Sequence, residues 1–259
     1  RRRQGPDQHG NRRVRGAREL SEATPGEPPG ADARQIGSLP GGIVNKRVSF
    51  QFSGARFSLD LSQSLFSSFD VDSGSRLLLK SLAQRVDLEG CVRALDAGCG
   101  TGVLSVALAG SHRRLAVDAV DRDALAVALS ASNAALNRID VRSVGSLVVD
   151  TRVEGPYDLA VCNLPAKAGA PVLRALVRRL AQLVRPGGVV AVVVVAPLAD
   201  LVRAAVEETG GQAALVEQTH EHAVFHYAGT GVAPAAGGAW LAAFVRQAAR
   251  FEAGGTRYD

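Results

Sequence analysis

The sequence predicts an α/β protein built on a doubly wound, mostly parallel sheet of seven strands, with helices on both faces and a small N-terminal β-hairpin extension. From residue 92 onward, short apolar segments alternate with helix-length segments, as βαβ units require. Val189–Ala196 is apolar on both faces, which is typical of a central parallel strand. Two closing segments, Ala213–Gln218 and Ala223–Tyr227, predict an antiparallel pair at the sheet edge.

The first elements are expected to form the extension. Alternating apolar residues on both sides of Ser53–Gly54–Ala55 predict a hairpin. A polar loop containing Gly74 is expected next, followed by a helix from Leu77 to about Val86.

The sheet and its helices are expected after this extension. The predicted strands are Arg93–Asp96, Leu115–Asp121, Arg142–Val149, Asp158–Cys162 and Val189–Ala196. The predicted helices are Gly102–Ala109, Asp123–Asn137, Pro171–Val184 and Leu198–Glu208. Arg185–Pro186–Gly187–Gly188 is predicted to stop the third helix and turn the chain. Trp240, Phe244 and Phe251 predict the apolar stripe of a terminal helix.

Composition divides the chain into three parts. Residues 1–42 are rich in Gly, Pro and Arg and are expected to be a disordered tail. Residues 43–90 form the predicted extension, and residues 91–259 the main domain. The formal charge of +5 comes from the tail, because seven Arg and one acid lie in residues 1–18. Such a tail suits contacts with phosphates, although a solvated leader has the same composition.

Cysteine usage and hydropathy indicate a protein of the cytoplasm. Cys91, Cys99 and Cys162 have no CxxC spacing and no paired histidine, so we expect no zinc site. The longest apolar run, Val189–Leu198, is shorter than a membrane span of about 18 residues, and no signal peptide is visible. We therefore expect no membrane association.

A glycine-rich loop follows the first predicted strand of the main domain. Leu95–Gly102 reads LDAGCGTG, with glycines at alternate positions that let the backbone turn tightly against a ligand. A dinucleotide fingerprint needs a glycine where Val103 stands, and a phosphate loop needs Gly-Lys-Ser/Thr, which is absent. Asp121 ends the next strand, where a carboxylate can accept both ribose hydroxyls of an adenosine or cap the following helix.

Together these residues resemble class I S-adenosylmethionine-dependent methyltransferases, which have a Rossmann-like fold. The glycine loop matches their first motif, Asp121 matches their ribose-binding acid, and the RPGG turn before a Val-rich strand is also similar. The resemblance implies S-adenosylmethionine as cofactor. It also implies cofactor contacts from a set of residues in and near the loop: Asp96, Gly98, Cys99, Gly100, Gly102, Asp121 and Asn163.

Asn163–Leu164–Pro165–Ala166 resembles the Asn-Pro-Pro-aromatic motif of amino-directed methyltransferases. In that chemistry an Asn oxygen and the next carbonyl accept the N–H hydrogens of a weakly nucleophilic nitrogen and orient it. Asn163, Leu164 and Pro165 are therefore the candidate catalytic residues. Leu164 replaces the first Pro, and Ala166 replaces an aromatic that stacks on a planar target. A plain strand-to-loop turn is the alternative reading.

Leu65–Leu79 is similar to the segment before the cofactor loop in the methyltransferase small domain, as in ribosomal small-subunit RNA guanine-N2 methyltransferases. Phe66, Ser67 and Gly74 are therefore further site candidates, with core, cap and turn roles as the alternatives. His220, His222 and His226 would share one face of a strand, but no acid completes a ligand pattern, so we expect structural roles and no metal.

The leading functional hypothesis is methylation of an RNA base, with ribosomal RNA as the expected substrate. A methyltransferase acting on a protein glutamine or amine is the first alternative. A non-catalytic S-adenosylmethionine-binding protein is another, because the Asn163 motif is altered. An oxidoreductase ranks last, since Val103 breaks the dinucleotide fingerprint.

Overall fold

A computed structural model of the protein describes residues 39, 42–65, 70–147, 153–232 and 242–245, and the backbone of 251–253 and 256–258. The predicted tail lies almost wholly outside these residues, as do Phe66, Ser67 and Trp240.

The predicted N-terminal hairpin is confirmed. Strands β1 (Lys46–Phe52) and β2 (Ala55–Leu61) pair antiparallel. The two turn residues have positive φ, +46° at Ser53 and +80° at Gly54. A two-residue turn with both φ values positive matches the right-handed twist of the strands it joins. Phe50 and Phe57 are opposite each other with ring centroids 5.5 Å apart, so the hairpin presents an apolar face to the body.

Helix α1 (Ser73–Arg85) begins four residues before the predicted Leu77. The Asp72 carboxylate caps it by accepting the Ser75 backbone N–H at 2.9 Å. The prediction of a polar loop here was wrong, because Asp-Ser-Gly-Ser is also a helix-start sequence. Gly74 is a helix residue, and a Cβ there would lie 3.0 Å from the His222 ring.

The seven-stranded sheet is confirmed. Its strands are β3 (Arg93–Ala97), β4 (Ala116–Asp121), β5 (Arg142–Gly145), β6 (Tyr157–Asn163), β7 (Val184–Val195), β8 (Ala214–Gln218) and β9 (His222–Ala228). Their order is β5-β4-β3-β6-β7-β9-β8. The first five are parallel, and β9 runs antiparallel to both β7 and β8.

Helices cover both faces of this sheet. They are α2 (Val103–Ser111), α3 (Ala124–Leu136), α4 (Ala170–Leu183) and α5 (Ala199–Glu207). Successive residues of a strand point to opposite faces. Accordingly, Leu159 and Val161 of β6 join a core with α1, α2 and the hairpin, whereas Ala160 and Cys162 join a core with α4 and α5. The α/β prediction, with helices on both sides, is therefore correct.

Two local predictions were wrong. Arg185–Gly188 is not a turn, because β7 already begins at Val184, which pairs with Tyr157. The register shifts beside these glycines, and a Cβ at Gly188 would lie 2.6 Å from the Asp158 carbonyl oxygen. The segment is thus an irregularity inside the strand. At the other end of the chain, Phe251–Ala253 forms strand β10, paired with β11 (Thr256–Tyr258), so Phe251 does not belong to a helix.

The extension and the sheet share a continuous core, in which Leu59 and Leu78 pack in one cluster with Val193. The predicted domain boundary near residue 90 stays a prediction. Within the residues described, no helix is both long enough and apolar enough to cross a bilayer.

Candidate functional site

The candidate residues meet at one edge of the sheet. Strand β3 lies between β4 and β6, and all three are parallel. The chain proceeds from β3 outward to β4 and β5, then returns to place β6 on the other side of β3. This reversal is the topological switch point, where open α/β sheets bind ligands beyond the carboxyl ends of their strands. The glycine loop, Asp121 and Asn163 all lie at these ends.

The glycine loop between β3 and α2 has two kinds of glycine. Gly98, Gly100 and Gly102 all have positive φ, at +78°, +52° and +83°. A Cβ at Gly102 would lie 2.8 Å from Ser130 Oγ, so this glycine allows α2 to approach α3. At Gly98 and Gly100, by contrast, a Cβ would meet nothing within 4 Å. Those two residues border open space, which a ligand can occupy.

Asp96 is buried below the loop, with an exposed fraction of 1%. Its Oδ2 accepts the Ser105 backbone N–H at 3.0 Å and also the Ser105 hydroxyl. Its Oδ1 is buried and has no hydrogen-bond partner among the described residues. Burial raises the pKa of Asp96 to about 7, although the hydrogen bonds from Ser105 oppose this rise.

Cys99 contributes only its backbone to the loop surface. Its side chain is buried, and its N–H donates to the Val120 carbonyl at 3.1 Å. Burial raises the pKa of the Cys99 thiol well above its usual value, which leaves the thiol protonated. A thiolate role for Cys99 is therefore excluded at neutral pH.

Asp121 joins the end of β4 to the loop. Its Oδ2 accepts the Gly100 N–H at 3.0 Å, and its Oδ1 accepts the Asp123 N–H at 3.0 Å. Each carboxylate oxygen has a second acceptor position, and the residue is only half-buried. The carboxylate is thus held in place and can still accept two hydroxyl hydrogens.

These features fit S-adenosylmethionine. Gly98 and Gly100 leave a cradle that any side chain would fill, and Asp121 offers paired acceptors suited to a ribose diol. The lone Asp96 oxygen lies under the same loop. None of these loop and strand-end residues has a cationic side chain that would repel the sulfonium group of the cofactor.

Asn163, the last residue of β6, has a defined side-chain orientation. Its Nδ2 donates to Asp72 Oδ1 at 2.9 Å and to Ser75 Oγ at 3.3 Å. A carboxylate has no hydrogen to donate, so the amide nitrogen must face Asp72. Asn163 Oδ1 therefore points away from α1, and no described residue donates a hydrogen bond to it.

The residues after Asn163 leave the sheet immediately. The Leu164 N–H donates to the Val193 carbonyl at 2.9 Å, and its side chain is buried. Within the described part of the chain, the Leu164 carbonyl accepts no hydrogen bond. The Pro165 carbonyl is used internally, because it accepts the Ala168 N–H at 2.9 Å and closes the 3₁₀ turn Ala166–Ala168.

Sequence reasoning missed three residues that shape this site. Asp72 and Ser75 orient Asn163, and Asn133 of α3 connects the loop to the hairpin. Asn133 Nδ2 donates to the carbonyls of Thr101 and Asp60 at 2.8 and 2.9 Å. A helix-cap pattern at Asp72–Ser75 was the available signal for the first two.

The remaining candidates, Gly74 and the three histidines, differ in their contacts with helix α1. Gly74 packs on His222, as described above, and His226 lies near Ser81 of α1 with its Nε2 3.0 Å from Ser81 Oγ. His222 and His226 therefore face α1, whereas the His220 side chain is exposed. Among the described residues, no cluster of His, Cys, Asp or Glu could hold a metal ion.

Comparison with known proteins identifies relatives by their sequences. The chain is 30% identical over 124 residues to a protein of Photobacterium profundum named ribosomal RNA small subunit methyltransferase C, covering 48% of this chain and 35% of the relative. It is 42% identical over 88 residues to ribosomal protein L11 methyltransferase of Campylobacter fetus, covering 33% and 30%. The chain thus spans about a third of the length of these relatives.

A solved structure shows the same fold. The 16S rRNA N2 methyltransferase of T. thermophilus, in complex with AdoMet and guanosine, superposes with a TM-score of 0.61 at 25% identity. The match covers 74% of this chain and 52% of that one. The family model described as "methyltransferase small domain" matches residues 57–226. Because this match includes most of the chain, from the hairpin to β9, the protein belongs to the methyltransferase small domain family.

Proposed function

We propose that the protein transfers a methyl group from S-adenosylmethionine to a nitrogen of an RNA base, with ribosomal RNA as the substrate class. The observation that carries this proposal is the hydrogen bonding of the Asn163 side chain. Its amide nitrogen donates to Asp72 and Ser75, while its oxygen accepts no hydrogen bond from any residue that the structure describes.

One part of the site would bind the cofactor, and the other would bind the acceptor group. The Gly98–Gly102 loop would hold the methionine end of the cofactor, and Asp121 would bind its ribose. When bound, S-adenosylmethionine supplies an electrophilic methyl group. Asn163 Oδ1 and the Leu164 carbonyl would accept the two hydrogens of an exocyclic amino group. Accepting both hydrogens aims the nitrogen lone pair, and such positioning can supply several kcal/mol toward the barrier.

The relatives support RNA as the acceptor. The solved relative at 25% identity is a 16S rRNA N2 methyltransferase with guanosine bound. Ala166 removes the aromatic platform expected for a flat base, a contribution of about 1–3 kcal/mol per base in stacking systems. The base must therefore obtain its planar contact elsewhere, and the polar contacts at Asn163 carry more of its orientation.

A basic groove supplies further support for an RNA substrate. Three arginines (Arg56, Arg113 and Arg138) and one acid (Asp140) line an open groove of about 400 Å³ between the hairpin and the last turns of α2 and α3, which gives the groove a net positive charge. All three are exposed, and none has a carboxylate partner among the described residues. Unpaired guanidinium groups are suited to phosphates. This groove lies at the opposite end of the sheet from Asn163, so it would bind flanking RNA.

Methyl transfer to small-subunit ribosomal RNA from cells that lack the activity tests the function directly. Labelled methyl groups should be released by nuclease and retained after protease digestion. Asn163→Ala should lower transfer at least about 100-fold while S-adenosylmethionine binding persists. Unimpaired transfer by this variant would overturn the role of Asn163.

A protein acceptor is the second candidate. It is favoured by the 42% identity over 88 residues to a protein named ribosomal protein L11 methyltransferase. The resemblance of Asn163–Pro165 to the motif of amino-directed methyltransferases implies that an amide can be the acceptor as well as a base. Label released only by protease would establish this candidate. S-adenosylmethionine binding without any transfer would instead favour the non-catalytic alternative.

Salt dependence tests the contribution of basic residues to RNA binding. Removing residues 1–18 should weaken binding and flatten the dependence of affinity on salt, because each phosphate contact contributes to that slope. Changing Arg113 and Arg138 together to Gln should lower the slope by about 1–2. Arg178→Gln on α4, which packs on the opposite face of the sheet, is the control for loss of one positive charge; its guanidinium lies 3.9 Å from Glu208.

A further inference from the structure

Asp72 stands where helix α1 meets the end of strand β6, ninety-one residues apart in the chain. Its Oδ1 accepts two hydrogen bonds at once, from the Ser75 backbone N–H at 2.9 Å and from Asn163 Nδ2 at 2.9 Å. One carboxylate oxygen therefore both caps the helix and orients the amide.

The neighbouring residues keep this junction rigid. Ser75 is 4% exposed, and its hydroxyl is the second acceptor for Asn163 Nδ2. Ser73 donates to Glu221 Oε2 at 3.3 Å, and Gly74 packs closely on His222. The first turn of α1 thus contacts both the end of β6 and the start of β9.

Asp72 affects the charge distribution of the Asn163 amide as well as its orientation. An amide rotated by 180° would direct its oxygen at a carboxylate, which is repulsive, so Asp72 selects one orientation. A charge-assisted hydrogen bond to Nδ2 also polarises the amide and increases the negative charge on Oδ1. Both effects make Asn163 Oδ1 a stronger acceptor for an N–H group of the substrate.

We propose that Asp72, assisted by Ser75, is a positioning residue for methyl transfer: it fixes and polarises the Asn163 amide so that Oδ1 is presented to the acceptor nitrogen. The proposal rests on the proposed function of Asn163. Asp72 acts through Asn163 and does not contact the cofactor or the substrate.

Substitutions that retain the helix cap separate this role from a structural one. Asp72→Ser keeps a capping oxygen for the Ser75 N–H but is too short to reach Asn163. We expect its kcat to fall about 10–50-fold, with Tm and S-adenosylmethionine affinity close to those of the parent. Asp72→Asn preserves an acceptor oxygen without the charge and should recover much of the activity. Ser75→Ala should have a smaller effect.

The control lies just beyond the other end of α1. The Asp87 carboxylate accepts the Gly90 N–H at 3.2 Å and is far from the site. Asp87→Ser makes the same chemical change at a carboxylate that accepts a backbone N–H in a turn, and we expect its kcat to be unchanged.

A double-mutant cycle with Asn163→Ala decides the mechanism. If Asp72 acts through Asn163, then Asp72→Ser causes no further loss in the Asn163→Ala background. Independent, multiplicative losses would overturn the proposal and leave the function of Asn163 intact. Wild-type activity of Asn163→Ala would overturn the role of Asn163, whereas the absence of methyl transfer by the parent protein would overturn the proposed function, so these failures are distinguishable.

Discussion

The two ends of the central sheet differ in how their polar groups are used. At the amino end, Asp118 of β4 accepts from Arg142 Nε and Nη2 and from the Tyr157 hydroxyl, all at 2.7 Å. Asp158 of β6 accepts the N–H groups of Val92 and Arg93 at 2.8 Å and the Arg185 guanidinium at 2.6 Å. These carboxylates have internal partners on both oxygens.

The carboxyl end keeps acceptor positions open. Asp96 Oδ1 and Asn163 Oδ1 have no described partner, and Asp121 is only half-buried. The contrast is also electrostatic. Hydrogen bonds from Arg142 and Tyr157 outweigh burial and lower the pKa of Asp118, whereas burial dominates at Asp96 and raises its pKa.

Under the proposed function, this difference separates residues that stabilise the fold from residues that bind a ligand. A buried polar group without a partner costs about 1–3 kcal/mol in the unliganded protein. Partners at the amino end avoid this cost. At the carboxyl end this cost persists at Asp96 Oδ1 in the protein alone, and a bound ligand can offset it. Stability and ligand affinity should therefore respond to different substitutions.

The largest expected effect is the pH dependence caused by Asp96. Its pKa of about 7 in the folded protein exceeds the usual value of 3.8, so between these values the folded state retains a proton that the unfolded state has released. The stabilisation is complete below about pH 4 and is lost as the pH rises through 7, by about 4 kcal/mol in total. Asp96→Asn should remove this slope. Urea unfolding at pH 5, 6, 7 and 8 measures it, and an equal slope in both proteins would contradict the prediction.

Removing the Asp118 carboxylate, at the amino end of the sheet, should lower the free energy of unfolding by somewhat less than the pH effect at Asp96. Asp118→Ala leaves Arg142, Tyr157 and Arg93 without their shared partner, which should lower the free energy of unfolding by about 3 kcal/mol. Affinity for S-adenosylmethionine should stay within about twofold once the variant is folded. Calorimetry measures both quantities, and a large loss of affinity would refute the division between the two ends.

Asp121→Ala should lower the affinity for S-adenosylmethionine more than it lowers the stability of the fold. Losing charge-assisted hydrogen bonds to the ribose should weaken S-adenosylmethionine binding about 10–100-fold, or about 1.5–3 kcal/mol. Stability should fall by only about 1 kcal/mol, because the Gly100 and Asp123 N–H groups lose an acceptor at a half-buried site where water can replace it. Asp123→Ala is the matched control: it removes the cap of α3 at the Leu125 N–H and should cost about 1 kcal/mol of stability without changing affinity. Equal affinities of the Asp121 variant and the parent would be incompatible with ribose binding.

Tyr157→Phe should give the smallest effect. The variant loses one hydroxyl hydrogen bond to Asp118, while Arg142 still occupies that carboxylate. We expect a loss of about 1 kcal/mol in the free energy of unfolding, measured by urea titration, and no change in S-adenosylmethionine affinity. A loss as large as that of Asp118→Ala would mean that the tyrosine, and not the arginines, holds the network together.

Much of the fold was predictable because its signals are local. The Val-rich segment of β7, the alternating hairpin and the closing β8–β9 pair all follow from side-chain periodicity within a few residues. The errors occurred where one local pattern allows two structures. Asp72–Ser75 suits a loop or a helix start, and Arg185–Gly188 suits a turn or a strand irregularity.

The sequence by itself determined the family, the glycine loop and the positions of Asp121 and Asn163 at strand ends, because these features depend on residue types at short, fixed spacings. Only the tertiary structure decided which glycines border open space and which pack against α3. It also decided that Asn163 is oriented by Asp72 and that Asp118 pairs with Arg142 and accepts a hydrogen bond from Tyr157. These contacts join residues 24 to 91 positions apart. Such pairs have no spacing signal in a single sequence, because they arise from strand order and helix packing, which bring distant segments together only in the folded chain.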